Sequence, residues 1–346
     1  MAKRKPHTDQ HFVPACYLKA WLEGHVPAGS NKPAFIWVFD RDGANPQRQS
    51  PRKSFTETDL YTIRGADGAR DLRLEHGLSE IEDRFTRIRI SKLNHRRALS
   101  EADWQWLCVF VATAQLRTKA MIDHHVGQWR DVFDMVDQLA EQVDAERAAG
   151  SQRTYPPSLG GERGFTPQPG DFEKLKAETP KILLSQSIAT VLPVLRHMHA
   201  TIFCTDDPIG FVTSDTPCIW HDSTAYRRPP VMRGVGLMTR EIEITMPLSP
   251  QQCIIFTHVP ISPPGYVDCG SDLVNSVNGR QIGYADQSFV SRSPVARAEW
   301  FIRNPLPADA WENSPTPNEW TAPGWSFDSA AVRKEADLKK GHFGRV

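Results

Sequence analysis

Phe211-Val212-Thr213-Ser214-Asp215-Thr216-Pro217 is the stretch on which the reading of the fold turns. A short apolar run ends in small polar side chains and is stopped by a proline. That pattern delivers a carboxylate and hydroxyls to the end of a strand, where α/β proteins tend to keep reactive groups. Further on, Glu241 to Pro250 (E-I-E-I-T-M-P-L-S-P) repeats the design as an alternating strand closed by a proline-bracketed Leu-Ser. Strands are also predicted at residues 201–205, 210–213, 218–220 and 252–258, with turns between them, which makes an antiparallel or mixed sheet. Ser271 is expected to cap a helix through Val274, Val277, Gln281 and Ala285, and residues 287–290 make a last strand.

Upstream, helical spacing takes over. Leu74, Leu78, Ile81, Phe85 and Ile88 form an amphipathic stripe with Glu82 at its edge. Ser100 caps the next helix, with Asp103 at the capping-box position. From Trp104 to Ala114 that helix is apolar nearly all round, which marks a buried central element, and its last turn carries Gln115, Arg117 and Thr118. A buried guanidinium needs an anion, and Glu82 and Asp215 are the candidates. Ile122, Val126, Trp129, Phe133, Val136, Ala140 and Val143 continue through a long helix, read as packing within its own domain in preference to a dimeric coiled coil. Thr179-Pro180 opens a further helix whose buried face is Leu184, Ile188, Val191, Leu195 and Met198.

Near the start, Pro14 opens a short helix burying Tyr17, Leu18 and Trp21, residues 34–39 make a buried strand, and a second strand lies at about residues 59–63. The expected class is α+β, a helical N-terminal half with a small antiparallel or mixed sheet in the C-terminal half. Residues 1–300 form one domain with an insertion at 150–170, rich in Gly, Pro and Ser, and residues 301–346 a Pro- and Trp-rich tail.

With 41 basic and 41 acidic residues, the 346-residue chain has no bulk charge with which to bind nucleic acid. Six scattered cysteines without a C-x-x-C pair read as reduced thiols; the basic start without an apolar run behind it is not expected to be a secretory signal, and no membrane span is expected. The expected location is the cytoplasm.

His11-Phe12-Val13-Pro14-x-x-Tyr17-Leu18, Gln115-x-Arg117-Thr118, Phe211-Val212-Thr213-Ser214-Asp215-x-Pro217 and Pro247-Leu248-Ser249-Pro250 stand in an order that resembles a bacterial family catalogued as domain of unknown function 4238. The resemblance runs from about His11 to Val290, and Glu82 and Asn278 fall where that family places an acidic and an amide residue. It implies that these polar positions belong to one domain; it carries no activity.

Ser214-Asp215-Thr216-Pro217 has a structural explanation, since Asp and Ser side chains accept backbone N–H bonds in turns. If His11, Gln115, Arg117 and Asn278 converge on it, the cluster suits an anionic or phosphodiester-containing ligand. Arg117 would supply charge, His11 general acid–base chemistry, and Asp215 would orient it or hold a divalent metal, while Gln115, Ser214, Asn278 and Glu82 would contact substrate. The leading expectation is a hydrolase of a phosphodiester or nucleotide-like substrate, a nuclease-type effector. The alternative is a non-catalytic module binding an anionic ligand or a protein partner, and the third reading is an internal polar network. No metal site and no cofactor is read from the spacing. Asp123-His124-His125 falls inside a helix, and there is no G-x-x-x-x-G-K, G-x-S-x-G or H-E-x-x-H.

Overall fold

A computed structural model of the chain describes residues 9–24, 34–64, 69–150, 184, 186–228 and 236–302. The insertion beyond residue 150, the Thr179-Pro180 helix start and the tail beyond 302 lie outside them.

The N-terminal elements are β1 (Asp9–His11), α1 (Ala15–Leu18), β2 (Ile36–Asp40), β3 (Gln47–Gln49), β4 (Thr56–Thr58), β5 (Ile63–Arg64) and β6 (Arg70–Asp71). Then come α2 (Arg73–Ser91), α3 (Glu101–Leu116), α4 (Lys119–Ala148) and a helix, α5, through 186–197. The C-terminal elements are β7 (His199–Cys204), β8 (Thr213–Ser214), β9 (Ile219–Asp222), β10 (Ile242–Ser249), β11 (Gln252–Thr257), β12 (Gly265–Asp268), α6 (Ser271–Tyr284) and β13 (Ser288–Ser291).

The α+β class stands, but the expected division into halves does not. Among the described residues, strands precede the helices as well as follow them, and one four-stranded sheet, ordered β3-β2-β13-β8, joins residues 36–49 to residues 213–214 and 288–291. The apolar strand read at residues 34–39 is β2, whereas β3 and β4 escape pattern reading because they are short and polar: Gln47-Arg48-Gln49 and Thr56-Glu57-Thr58 have no apolar alternation. The strand expected at 59–63 is displaced for a local reason. Asp59 takes a positive φ of 55° and turns the chain between β4 and β5.

The larger sheet, β12-β7-β11-β10-β9, is antiparallel apart from the β12–β7 pair. Its strands β7, β10 and β11 are almost wholly buried and lie against the helices. Trp104 of α3 meets Phe256 of β11 with ring centroids 5.7 Å apart, and Phe85 of α2 stacks on Phe110 of α3 at 3.7 Å. Leu78, Phe85 and Ile88 are buried, as the α2 stripe predicts, and so are the residues of α3 from Leu107 to Leu116 apart from half-buried Val109. Ser100 and Asp103 form the reciprocal capping box of α3, the hydroxyl accepting the Asp103 N–H and the carboxylate accepting the Ser100 N–H. At α6 the boundary shifts by one residue: Gly270, in extended conformation, is the N-cap, and Ser271 is the first helical residue.

Candidate functional site

The Phe211–Pro217 stretch is where four parts of the chain meet. A bulge in β10 at Pro247–Ser249 relieves the ladder where proline has no N–H to give. The carbonyls on either side of it are acceptors: Pro250 O takes the Phe211 N–H at 2.8 Å and Pro247 O the Tyr17 hydroxyl at 2.7 Å. That hydroxyl has one hydrogen, so Thr213 Oγ1, also 2.7 Å away, donates to it. Trp21 Nε1 donates to Phe211 O at 2.8 Å. Thus α1 and the turn that follows it hook directly onto the stretch.

From the other side α6 clamps it. Asn278 Oδ1 accepts the Val212 N–H and Nδ2 donates to Gly210 O, both at 2.9 Å. Gln281 Nε2 donates to Pro217 O at 2.9 Å, and its Oε1 lies 3.1 Å from Ser214 Oγ. Asn278, Gln281 and Ser214 are fully buried. Their polar atoms satisfy backbone groups that would otherwise be buried unpaired. Asn278 and Ser214, expected as substrate contacts, have no exposed surface here, and their polar atoms hold the strand in place.

Asp215 has a similar occupation. Its Oδ1 accepts the Asp286 N–H at 2.8 Å, and Oδ2 accepts those of Gln287 and Ser288 at 2.7 and 2.9 Å. Burial pushes its carboxyl above the ordinary carboxylate range, although the three amides pull the other way. Asp215 fixes the turn into β13 and makes no pair with Arg117.

Arg117, the C-cap of α3, is 2% exposed and finds its partner in α2, Nη1 lying 2.8 Å from Glu82 Oε1. Of the two anions expected for it, Glu82 is the one the fold supplies. Nη2 donates to the backbone carbonyl of His11, Tyr61 donates from its hydroxyl to Arg117 O at 2.7 Å, and the Tyr61 ring lies 5.5 Å from the guanidinium carbon. Burial alone would lower the Arg117 pKa; Tyr61 and Glu82 more than offset it, so the side chain stays charged. His11 thus joins this cluster through its main chain, in the β1–β4 ladder. Its half-buried imidazole has Nε2 enclosed without a hydrogen-bond partner, and burial lowers its pKa below 6.5, with Arg117 adding to this and Glu82, Pro51 O and Arg52 O opposing it. Gln115 is 8% exposed, its Oε1 likewise without a partner. The expected convergence is partial: Glu82, Arg117 and the His11 backbone come together, while Asp215, Ser214 and Asn278 form a separate network.

What is open to solvent near Asp215 is a cleft of about 260 Å³. Its apolar lining includes Phe12, Val38 and Phe55, and the Phe12 and Phe55 rings pack edge to face at 5.8 Å. Its polar wall comes from Gln49, Lys53, Thr56, Lys119, Asp286 and Gln287. Lys119 is shared between Glu57 at 3.2 Å and Asp123 at 3.3 Å, whereas Lys53 has no ion-pair partner among the described residues. Sequence reading missed Gln49, Lys53, Thr56 and Lys119. Exposed polar residues at strand edges and helix starts carry no periodic signal, and only their position beside the Asp215 turn marks them. No cluster of potential metal ligands occurs among the described residues, and no helix among them is long and apolar enough to cross a membrane.

A family model described as a protein of unknown function, DUF4238, matches residues 9–294. No curated protein and no solved structure matches the chain.

Proposed function

The chain belongs to the DUF4238 family, and from the chemistry of its cleft we propose that it is a binding module for a small, nucleotide-like anion seated beside the Asp215 turn. The observation that carries this is the placing of Lys53, which has no ion-pair partner among the described residues, in the lining of a cleft with Lys119, Phe12 and Phe55. Ammonium groups take phosphate oxygens as point charges, and the two rings offer a surface for a base or other planar group. Asp286, on the same wall, disfavours a second anionic group and accepts from a hydroxyl or amine.

Binding is favoured over hydrolysis by the two groups expected to do chemistry. The oxygens of Asp215 accept three main-chain N–H bonds, and Nε2 of His11 is enclosed by protein. One observation supports the hydrolase reading: a His11 with lowered pKa is neutral near pH 7, as a general base must be. The location we assign is the cytoplasm, because all six cysteines are free.

Calorimetric titration of the full chain with AMP, ribose 5-phosphate and inorganic phosphate tests the proposal. Lys53→Ala should weaken AMP binding about tenfold, a loss of about 1.4 kcal/mol. Equal affinity in wild type and Lys53→Ala, or no heat of binding from any of the three, removes the binding reading. Cleavage of a phosphodiester that disappears in His11→Gln would put the hydrolase in its place.

A further inference from the structure

A second concavity lies on the opposite flank of α6, and nothing above uses it. It is a groove of about 570 Å³ running along two helical rows, Asn275-Gly279-Gly283 and Ser276-Arg280-Tyr284, with Glu299 and Ile302 on the facing turn. Gly283 leaves the helix surface bare, since a Cβ there would meet nothing within 4 Å, and Gly279 lets the facing turn approach, since a Cβ there would sit 3.4 Å from Trp300 O.

The polar groups along it are held in place from behind. Glu243 and His221 are directly opposite each other on β10 and β9, so their side chains share one face of the sheet. Glu243 Oε2 pairs with Arg280 Nη1 at 2.5 Å, and His221 Nδ1 lies 3.1 Å from the Tyr284 hydroxyl. In the tautomer with the proton on Nδ1, His221 donates to the phenol oxygen and leaves the phenol hydrogen for a ligand. Glu243 fixes one edge of the guanidinium and leaves its remaining terminal N–H donors, while Nε–H is buried. Glu299 is exposed and has no ion-pair partner among the described residues, and Ile302 is 70% exposed.

We propose that this groove binds a small zwitterion of amino-acid type. The carboxylate is received by Arg280 and Tyr284, the ammonium by Glu299, and an apolar side chain lies over the glycine row against Ile302. A lone anion is disfavoured by Glu299 and by the Glu243 charge behind Arg280, and a lone cation leaves the donors of Arg280 and Tyr284 without an acceptor. A ligand carrying both charges satisfies both ends.

The probes are phenylalanine, phenylacetate and phenethylamine, titrated into the full chain while the His221 imidazole resonance, assigned by its absence in His221→Gln, is followed by NMR. Phenylalanine should shift that resonance and bind at least about tenfold tighter than either single-charge analogue. Glu299→Gln, at an exposed position where folding is insensitive, should cost phenylalanine about tenfold and bring phenylacetate level with it. Tyr284→Phe should weaken phenylalanine and phenylacetate together. The proposal fails if phenylacetate matches phenylalanine in wild type or Glu299→Gln binds phenylalanine unchanged. It also fails if phenylalanine binds without moving the His221 resonance, or does not bind at about 10 mM.

Discussion

A methyl group at position 210 has nowhere to go. Gly210 holds φ at +74°, and a Cβ there would lie 1.9 Å from Pro250 O, the acceptor that anchors Phe211. Left-handed strain and a main-chain clash act together, so Gly210→Ala should destabilise by about 3 kcal/mol or more, read as a lower urea midpoint. Glu82 is decisive for the opposite reason, since its removal leaves a charge behind. Arg117 is 2% exposed, and Glu82→Gln keeps the shape but not the counter-charge, so a loss of about 3 kcal/mol is expected in the same measurement. His11 should set an acid limb. Its folded pKa is below the 6.5 of the free imidazole, so as the pH falls below about 6.5 the unfolded chain takes up a proton that the folded one refuses. Stability therefore declines between those two values and levels off beneath the lower one. Urea midpoints at pH 7 and pH 5 should differ in wild type, and His11→Asn should flatten that part of the difference; an unchanged slope would assign the acid limb elsewhere.

Among the elements, α6 has two roles. Its inner face, through Asn278 and Gln281, ties the backbone of residues 210–217, while its outer rows form the groove. Asn278→Ala strands one buried N–H and one buried carbonyl, at about 1–3 kcal/mol each. Amide exchange at Val212 should then quicken well before exchange in α3, which makes no hydrogen bond to Asn278, showing local release of this strand. The helix α3 owes its position to packing more than to polar bonds: its residues from Leu107 onward are mostly buried, and the Phe85–Phe110 stack locks it to α2.

For the molecule as a whole, burial governs its cysteines. It raises the pKa of Cys16 and Cys108 to about 12 and carries Cys218 and Cys253 higher still. A thiol-reactive disulfide reagent should leave Cys108, Cys218 and Cys253 untouched until denaturant is added. The large features of the fold are legible because they rest on a long run with one period, as in α2, on a run apolar nearly all round, as in α3, or on a strand ended by proline, as at Phe211–Pro217. The need of Arg117 for an anion could also be read, since a greasy helix ending in a guanidinium admits few solutions. Other features were not legible. Strands such as β3 and β4 exist because a neighbouring edge needs partners. The Asp215 carboxylate looks the same in sequence whether it faces a ligand or three amides. Lys53 and Lys119 become a wall only through the turn that brings β13 beside them.

The hook formed by Tyr17 and Trp21 has a consequence for biosynthesis. Their partners lie 190 to 230 positions later in the chain, at Phe211, Thr213 and Pro247. During translation the segment that bears Tyr17 and Trp21 emerges with its phenol and indole unmatched, and it must wait for residues 211–247 before that part of the fold can close.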